Sequence, residues 1–369
     1  MLAMAVKIIN DNALSALKQM PDKSVHCCVT SPPYWGLRDY GIAGQLGLEK
    51  TPGEYVEKMV EIFHEVRRVL RDDGTLWLVI GDSYATGAGK VGDCPGGGKQ
   101  GERWKGDNYS GHRGSRGGSS KQPHTGAAVG PMIQPNRMPL PGLKPKDLVG
   151  IPWMVAFALR SDGWYLRSDI IWHKLNPMPE SVTDRPTKAH EYIFLFSKSQ
   201  RYYYDREAIL EPVQSGPSDI RKMIEKKDRI DAKHFHVDAG PLAAANHRTH
   251  IGNKRAVGGR RIHGNLPGRD DGGAACNTPN QLYRNKRSVW TVGTSTFGGA
   301  HFATFPPALI EPCIKAGSPP PGVILDPFAG SGTVGEVAIS LGREAILIEI
   351  NPEYIHLIKE RCGLFCEVA

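Results

Sequence analysis

No apolar run in the 369-residue sequence approaches the ~18 uninterrupted residues of a membrane span, and no basic stretch leads into an apolar h-region near the start. A cytoplasmic location is therefore expected. Paired cysteine chemistry is missing as well. The seven cysteines (Cys27, Cys28, Cys94, Cys276, Cys313, Cys362 and Cys366) are odd in number, scattered and without a CxxC spacing, so neither a disulfide framework nor a zinc ribbon is signalled. The histidines lack metal-ligand spacing, and no metal is expected. Internal repeats are absent. Aromatic residues make up only 8%, but 40% hydrophobic and 23% charged residues describe an ordinary globular chain with a core. At ~100–200 residues per domain, that chain forms one large domain or two modest ones.

What the sequence has in excess is positive charge, and it is confined to one place. Residues 220–288 carry 15 Lys/Arg against 6 Asp/Glu, while the remainder holds 31 against 32. The same segment contains His234, His236, His247, His250 and His263. Such a field attracts a polyanion, nucleic acid being the commonest. A solvated basic loop has the same composition, so charge by itself leaves both open.

Along the chain, apolar runs at Val6–Ile9, Val25–Thr30 and 75–80, with a periodic helix over 53–70 between the last two, predict alternating strand and helix and a parallel sheet. From 87 to about 130 the pattern collapses into Gly, Ser, Lys, Arg and His with almost no aliphatics, a composition that cannot offset chain entropy by burial. Order returns with a helix over 151–159 and strands over 164–173 and 191–197. Beyond the basic segment come a helix over 306–316, a strand over 323–325, a helix over 333–341, a strand over 345–350 and a proline-opened helix at Pro352–Cys362.

Two motifs carry chemistry. In VILDPFAGSGTVGEVAISLG, an apolar strand runs into a glycine-rich turn and a helix. Gly330, Gly332 and Gly335 satisfy GxGxxG, and Glu349 falls 19 residues beyond Gly330 at the end of the next strand. Glycines let a ligand approach the backbone and an acid accepts from ribose hydroxyls, the logic of nucleotide-type cofactor binding. A dinucleotide and S-adenosylmethionine both present that ribose. In VHCCVTSPPYWGLRDYG, Ser31, Pro32, Pro33 and Tyr34 follow directly on a strand. Consecutive prolines fix two φ angles and remove two N–H groups, leaving rigid carbonyl acceptors. That suits a substrate that donates hydrogen bonds, such as the exocyclic amine of a nucleobase. With the Ser31 hydroxyl and the Pro32 carbonyl accepting its hydrogens, the nitrogen lone pair is aimed at an electrophile, and Tyr34 offers a flat face to an extruded base.

With TSPPYWGLRDYG as catalytic motif, DPFAGSGT as cofactor loop and HFATFP at 301–306 before it, the sequence resembles the DNA amino-methyltransferases that act on cytosine N4 or adenine N6. The catalytic motif precedes the cofactor motif, the order of the β class. The resemblance implies a Rossmann-like, circularly permuted α/β fold dependent on S-adenosylmethionine, with an inserted target-recognition region. It assigns 1–86 to the catalytic half, 87–147 to a glycine-rich insertion, 148–210 to the continuing sheet, 211–287 to basic target recognition and 288–369 to the cofactor half. It further implies that Ser31, Pro32, Pro33 and Tyr34 hold and stack the flipped base. Phe305, Phe328, Gly330, Gly332 and Thr333 would wrap the cofactor and Glu349 take its ribose. Asp11 would accept from the adenine amine, Thr304 would bond the methionine carboxylate, and Asp326 would sit near the methionine ammonium. Double-stranded DNA is the implied substrate and a restriction endonuclease the implied companion. SPPY leans toward cytosine N4 and DPPY toward adenine N6.

In-line transfer from a sulfonium to a neutral amine requires placement more than acid or base strength. Methylation at cytosine carbon 5 would need a cysteine nucleophile, and Cys313, after Pro312, reads instead as an apolar helix position. Trp153, Trp164 and Trp172 read as core, while Arg185, His190 and Glu191 fall at strand ends, where they could serve the active-site wall or DNA phosphates or form an ordinary loop ion pair. A nicotinamide dehydrogenase fits GSGTVG but leaves SPPY, HFATFP and the basic block unexplained. A DNA-binding protein without turnover would not need Ser31, Tyr34 and the glycine loop together.

Overall fold

The computed structural model describes residues 6–37, 41–85, 142–177, 179–180, 182–213, 283–294, 305–363 and 366–368. Two compact units result, one of Met1–Ile209 with Lys286–Ala369 and one of Leu210–Asn285. The first is built on β1 (Val6–Ile9), α1 (Ala13–Gln19), β2 (Val25–Thr30), α2 (Pro52–Val69), β3 (Leu70–Ile80), α3 (Ile151–Ser161), β4 (Tyr165–Lys174) and β5 (His190–Ser197). In the second, β6 (Glu211–Pro212) pairs antiparallel with β7 (Tyr283–Arg284), and Glu211 accepts from Arg284 Nε at 2.8 Å. The first unit continues with β8 (Val289–Val292), α4 (Pro307–Gly317), β9 (Val323–Asp326), α5 (Thr333–Ser340), β10 (Glu344–Ile348), α6 (Pro352–Cys362) and β11 (Cys366–Val368).

Nine strands form one sheet in the order β11-β1-β10-β9-β2-β3-β5-β4-β8, parallel throughout except for β5, which runs against both neighbours. Parallel strands buried on both faces must be apolar nearly continuously, and β2 (VHCCVT) and the second half of β3 (TLWLVI) are. Alternate residues feed opposite cores. Cys28, Leu76, Leu78 and Ile80 join the core with α1, α2 and α3, whereas Cys27, Val29, Trp77 and Val79 join the one with α4, α5 and α6. The unit is a three-layer α/β/α sandwich. Within it, α2 opens on Thr51, whose hydroxyl accepts from Glu54 N at 3.1 Å, with Pro52 in the first turn. Its Tyr55, Met59, Ile62, Phe63 and Val66 are all buried, each stabilising by up to ~1.5–3 kcal/mol.

Connections leave β2 through α2 toward β3 and leave β9 through α5 toward β10, in opposite directions across the sheet. Yet β2 and β9 are neighbours, pairing Cys27 with Ile324 and Cys28 with Leu325. Their carboxyl ends are therefore a topological switch point, where α/β sheets open a crevice.

The structure corrects several sequence expectations. The third strand begins at Leu70, not Thr75: the polar run Arg71–Asp72–Asp73–Gly74 reads as a turn, but Leu70 pairs with Val25 across an irregularity in register. Helix α1, seven residues capped by Asn12, is too short to announce itself by periodicity. The penultimate strand ends at Ile348, so Glu349 and Ile350 belong to the loop beyond it. The reversed β5 departs from an all-parallel pattern. Trp164 and Trp172 are buried in the core, as is Cys313. Most of the glycine-rich insertion (86–141) and of the basic segment (214–282) lies outside the described residues. No helix among the described residues is long and apolar enough to cross a membrane.

Candidate active site

Four strand ends meet at the switch point. The end of β9 turns into the glycine loop, where Gly330 and Gly332 adopt left-handed φ of +53° and +82°. A Cβ on Gly332 would stand 3.0 Å from Ile358 Cγ2 and 3.2 Å from Ile358 Cα, so both backbone conformation and the packing of α6 demand glycine there. Glu349, beyond β10, threads its carboxylate into the loop. Oε2 accepts from Gly330 N and Oε1 from Asn351 N, each at 2.8 Å. Burial raises its pKa against the backbone donors of Asn351, Gly330 and Ile350, which hold the charged form. A carboxylate has about four acceptor positions, so with three backbone donors one remains for a further donor. On the other side of the loop, Arg361 of α6 donates through one nitrogen to Ser331 Oγ (2.6 Å) and Thr333 Oγ1 (2.8 Å).

Opposite stands the turn after β2. Ser31, Pro32, Pro33 and Tyr34 line one cleft with Phe305, Phe328, Gly330, Thr333 and Glu349. The turn is held from behind. Tyr55 donates its hydroxyl to the Pro33 carbonyl at 2.9 Å, whereas the Pro32 carbonyl accepts no hydrogen bond among the described residues. The Tyr34 ring lies against Gly81, where a Cβ would come within 2.5 Å of Cε2, and its hydroxyl donates to Glu191 Oε2 at 2.7 Å. Burial and then the Glu191 charge push the Tyr34 phenol well above its ordinary pKa, so it remains a donor. Glu191 is itself paired with Lys174.

A buried strut joins the two halves. Thr30, the last residue of β2, donates to Asp326 Oδ1 at 2.6 Å, and Phe328 N donates to the same oxygen at 3.0 Å. Burial pushes the Asp326 carboxyl from 3.8 up to about 7, against these two bonds and with a small contribution from Glu349. An acid whose folded pKa is raised binds more protons folded than unfolded between those values, so its contribution to stability falls as pH rises from about 4 to about 7. Asp326→Asn keeps the accepting oxygen and removes that dependence. Melting curves are expected to show the variant gaining on wild type between pH 4 and pH 7.5. A constant difference between the two proteins over that range would mean that Asp326 is ionised throughout.

Of the residues singled out in the sequence, Ser31, Pro32, Pro33, Tyr34, Phe305, Phe328, Gly330, Thr333 and Glu349 are brought to one cleft. Three are not on its wall. Gly332, where the loop enters α5, is buried, and Asp326 is 1% exposed. Asp11 turns its carboxylate onto Asn12 N at 2.7 Å, leaving Asn12 and Ala13 to line the cleft. Thr304 lies outside the described residues. Sequence reasoning missed Thr30, Tyr55, Gly81, Lys174 and Arg361. Each acts across a sequence separation that only the sheet order or helix packing defines. Glu191 was noticed only as a strand-end acid.

Fold and cleft together define a Rossmann-like α/β protein in which a glycine loop tied to a buried carboxylate faces a turn of hydrogen-bond acceptors. Residues 25–360 match the family described as DNA methylase, the N6/N4 methyltransferases, and the chain belongs to it. It is 42% identical over 354 residues to the Type II methyltransferase M.XycI of Xanthomonas campestris pv. cyanopsidis, covering 96% of this chain and 86% of the relative. It is 41% identical, with the same coverage, to the Type II methyltransferase M.Cfr9I of Citrobacter freundii. Among solved structures, the PvuII DNA methyltransferase (cytosine-N4-specific) matches with a TM-score of 0.53 at 16% identity, over 97% of this chain and 87% of that one, a likeness of fold. The chain is thus a β-class DNA amino-methyltransferase, and the dehydrogenase reading falls away. S-adenosylmethionine is the methyl donor of the family, and the residues present fit it: a carboxylate with an acceptor position to spare, and an open glycine backbone beside Phe305 and Phe328.

Proposed function

We propose that the protein methylates the exocyclic N4 of a cytosine flipped out of double-stranded DNA. The observation that carries this reading is the single cleft shared by Ser31, Pro32 and Tyr34 with Phe328, Gly330 and Glu349. Bound S-adenosylmethionine would supply a methyl group on a positively charged sulfur that departs neutral, and the methylated amine, cationic at that point, would return to neutrality by releasing one of its two hydrogens as a proton to water. In this reading Phe305, Phe328 and the 330–333 turn wrap the cofactor, and Glu349 accepts from the ribose hydroxyls. The Ser31 hydroxyl and the Pro32 carbonyl accept the two amine hydrogens, while Tyr34 lies against the base, a contact worth ~1–3 kcal/mol for an unpaired base. Asp326 and Gly332 act by holding the loop rather than by touching the cofactor. The basic segment supplies phosphate contacts, which position DNA without reading its sequence.

Cytosine rather than adenine rests on Ser31 at the head of the SPPY turn, the residue in which the two branches of the family differ. The names of the Type II relatives support a role as the modification partner of a restriction endonuclease. The test is transfer of labelled methyl from S-adenosylmethionine to DNA followed by nucleoside analysis. N4-methylcytosine is expected. N6-methyladenine would move the specificity to the other branch, and the absence of both would remove the catalytic reading.

A further inference from the structure

Ser31 can serve the reaction only if its hydroxyl hydrogen points away from the incoming amine. A serine hydroxyl is both donor and acceptor, and its rotor is free unless something takes the hydrogen. If that hydrogen were turned into the cleft, it would bond to the nitrogen lone pair and occupy the orbital that must attack the methyl group. An SPPY turn therefore has a problem of polarity that a carboxylate in the same place would not have.

The described residues contain an answer. Ser31 Oγ lies 3.5 Å from Tyr34 Oη, with Ser31 as donor. That is long for a hydrogen bond, although bonds of this kind often tighten when a substrate is seated. The Tyr34 hydroxyl hydrogen is itself committed to Glu191 Oε2 at 2.7 Å, which leaves the phenol oxygen facing Ser31 as an acceptor. Glu191 cannot reverse this, because both its oxygens are acceptors, one to Tyr34 Oη and the other to Lys174 Nζ. Its other oxygen meets Lys174 Nζ at 2.5 Å, and the two side chains are only 16% and 21% exposed. The ammonium fixes the carboxylate in place. Lys174 ends β4 and Glu191 stands second in β5, so the paired strands deliver both groups to the back of the turn. Gly81 holds the Tyr34 ring at the required height.

We infer that Lys174 and Glu191 are positioning residues that set the direction of the chain Ser31 Oγ–H to Tyr34 Oη–H to Glu191, so that Ser31 presents only lone pairs to the amine. The inference rests on the proposed grip of Ser31 on that amine. It gives Tyr34 a second task besides stacking, one located in its hydroxyl. It also makes Glu191→Gln a reversal rather than a simple loss. The Lys174 ammonium selects the amide oxygen, which turns the amide N–H₂ toward Tyr34 and drives the Tyr34 hydrogen back at Ser31.

The experiment is a double-mutant cycle of Glu191→Gln and Tyr34→Phe in the full chain. It reads the single-turnover rate of labelled methyl transfer to amplified, unmethylated DNA, with S-adenosylmethionine affinity and melting temperature measured alongside. Glu191→Gln is expected to slow transfer on the order of 10-fold or more with cofactor affinity within twofold of wild type. In the Tyr34→Phe background the same substitution is expected to change the rate less than twofold, because no hydroxyl remains to be turned. Loss of the Lys174 pairing alone would lower the melting temperature and slow both backgrounds equally, so a multiplicative double mutant overturns the inference, as does a Glu191→Gln single variant at wild-type rate. Wild-type protein that transfers no methyl to an exocyclic amine would overturn the functional reading and this inference with it. Normal wild-type transfer with an indifferent Glu191 would remove this inference alone.

Discussion

Ser31→Ala is expected to slow methyl transfer on the order of 10-fold, ~1.4 kcal/mol of barrier, while leaving S-adenosylmethionine affinity within about twofold. The size follows from what the hydroxyl meets. On the proposed grip, it accepts in the ground state from a neutral amine, a bond of ~0.5–1.5 kcal/mol net. As the methyl group approaches, the nitrogen acquires positive charge and the same bond becomes charge-assisted, roughly twice as strong. The interaction thus grows on the way to the transition state, and its removal appears in kcat more than in binding. The cofactor loop has no share in the loss, since the ties of Gly330, Ser331 and Thr333 run to Glu349 and Arg361 and none to Ser31. Single-turnover rates and calorimetric titration with S-adenosylmethionine measure the two quantities separately. A variant that transfers methyl normally but binds the cofactor poorly would mean that the SPPY turn belongs to the cofactor side of the cleft.

How far this site could be read from the sequence depends on how local each feature is. The glycine loop and the SPPY turn were legible because their chemistry is written in neighbouring residues: positive φ at Gly330 and Gly332, fixed φ at Pro32 and Pro33. Glu349 was legible because a strand–helix–strand unit sets its distance from the loop. The meeting of the two motifs was not written in either. It depends on β2 lying beside β9, a pairing across nearly 300 residues that the Thr30–Asp326 bond completes over 296. The groups behind the turn were less legible still. Tyr55 reads as a core position on α2, and it is one, but its hydroxyl also reaches Pro33. Glu191 comes within reach of Tyr34 only because β5 runs antiparallel beside β3, which puts Tyr192 opposite Ile80, one residue before Gly81. A reversed strand in a chain patterned for parallel pairing leaves no signal in hydrophobic periodicity. Asp326 had the opposite fate. The sequence suggested a cofactor contact, and the fold used the carboxylate internally.

The companion substitution, Gly332→Asp, is expected to abolish measurable S-adenosylmethionine binding, at least a 100-fold loss of affinity, in a protein that still folds. Aspartate is ordinarily a good residue to begin a helix, since its carboxylate accepts from the first turn. That geometry needs an extended backbone at the cap, and Gly332 caps α5 with φ +82° and ψ 22°. The left-handed conformation costs a non-glycine residue ~1–3 kcal/mol. The new Cβ would also press on the backbone and side chain of Ile358, whose neighbours on α6 include the Arg361 that holds Ser331 and Thr333. The loop can escape only by leaving the position that Glu349 and Arg361 define, and the cofactor's place goes with it. Gly330 provides the internal contrast. At φ +53° it lies in the left-handed region too, but a Cβ there meets nothing within 4 Å. Gly330→Ala is therefore expected to cost only the backbone strain and to weaken binding by about 10-fold, whereas Gly332→Ala is expected to weaken it considerably more. Calorimetric titration orders the three variants, with circular dichroism confirming the fold. Equal affinities for Gly330→Ala and Gly332→Ala would show that the loop does not depend on its packing against α6.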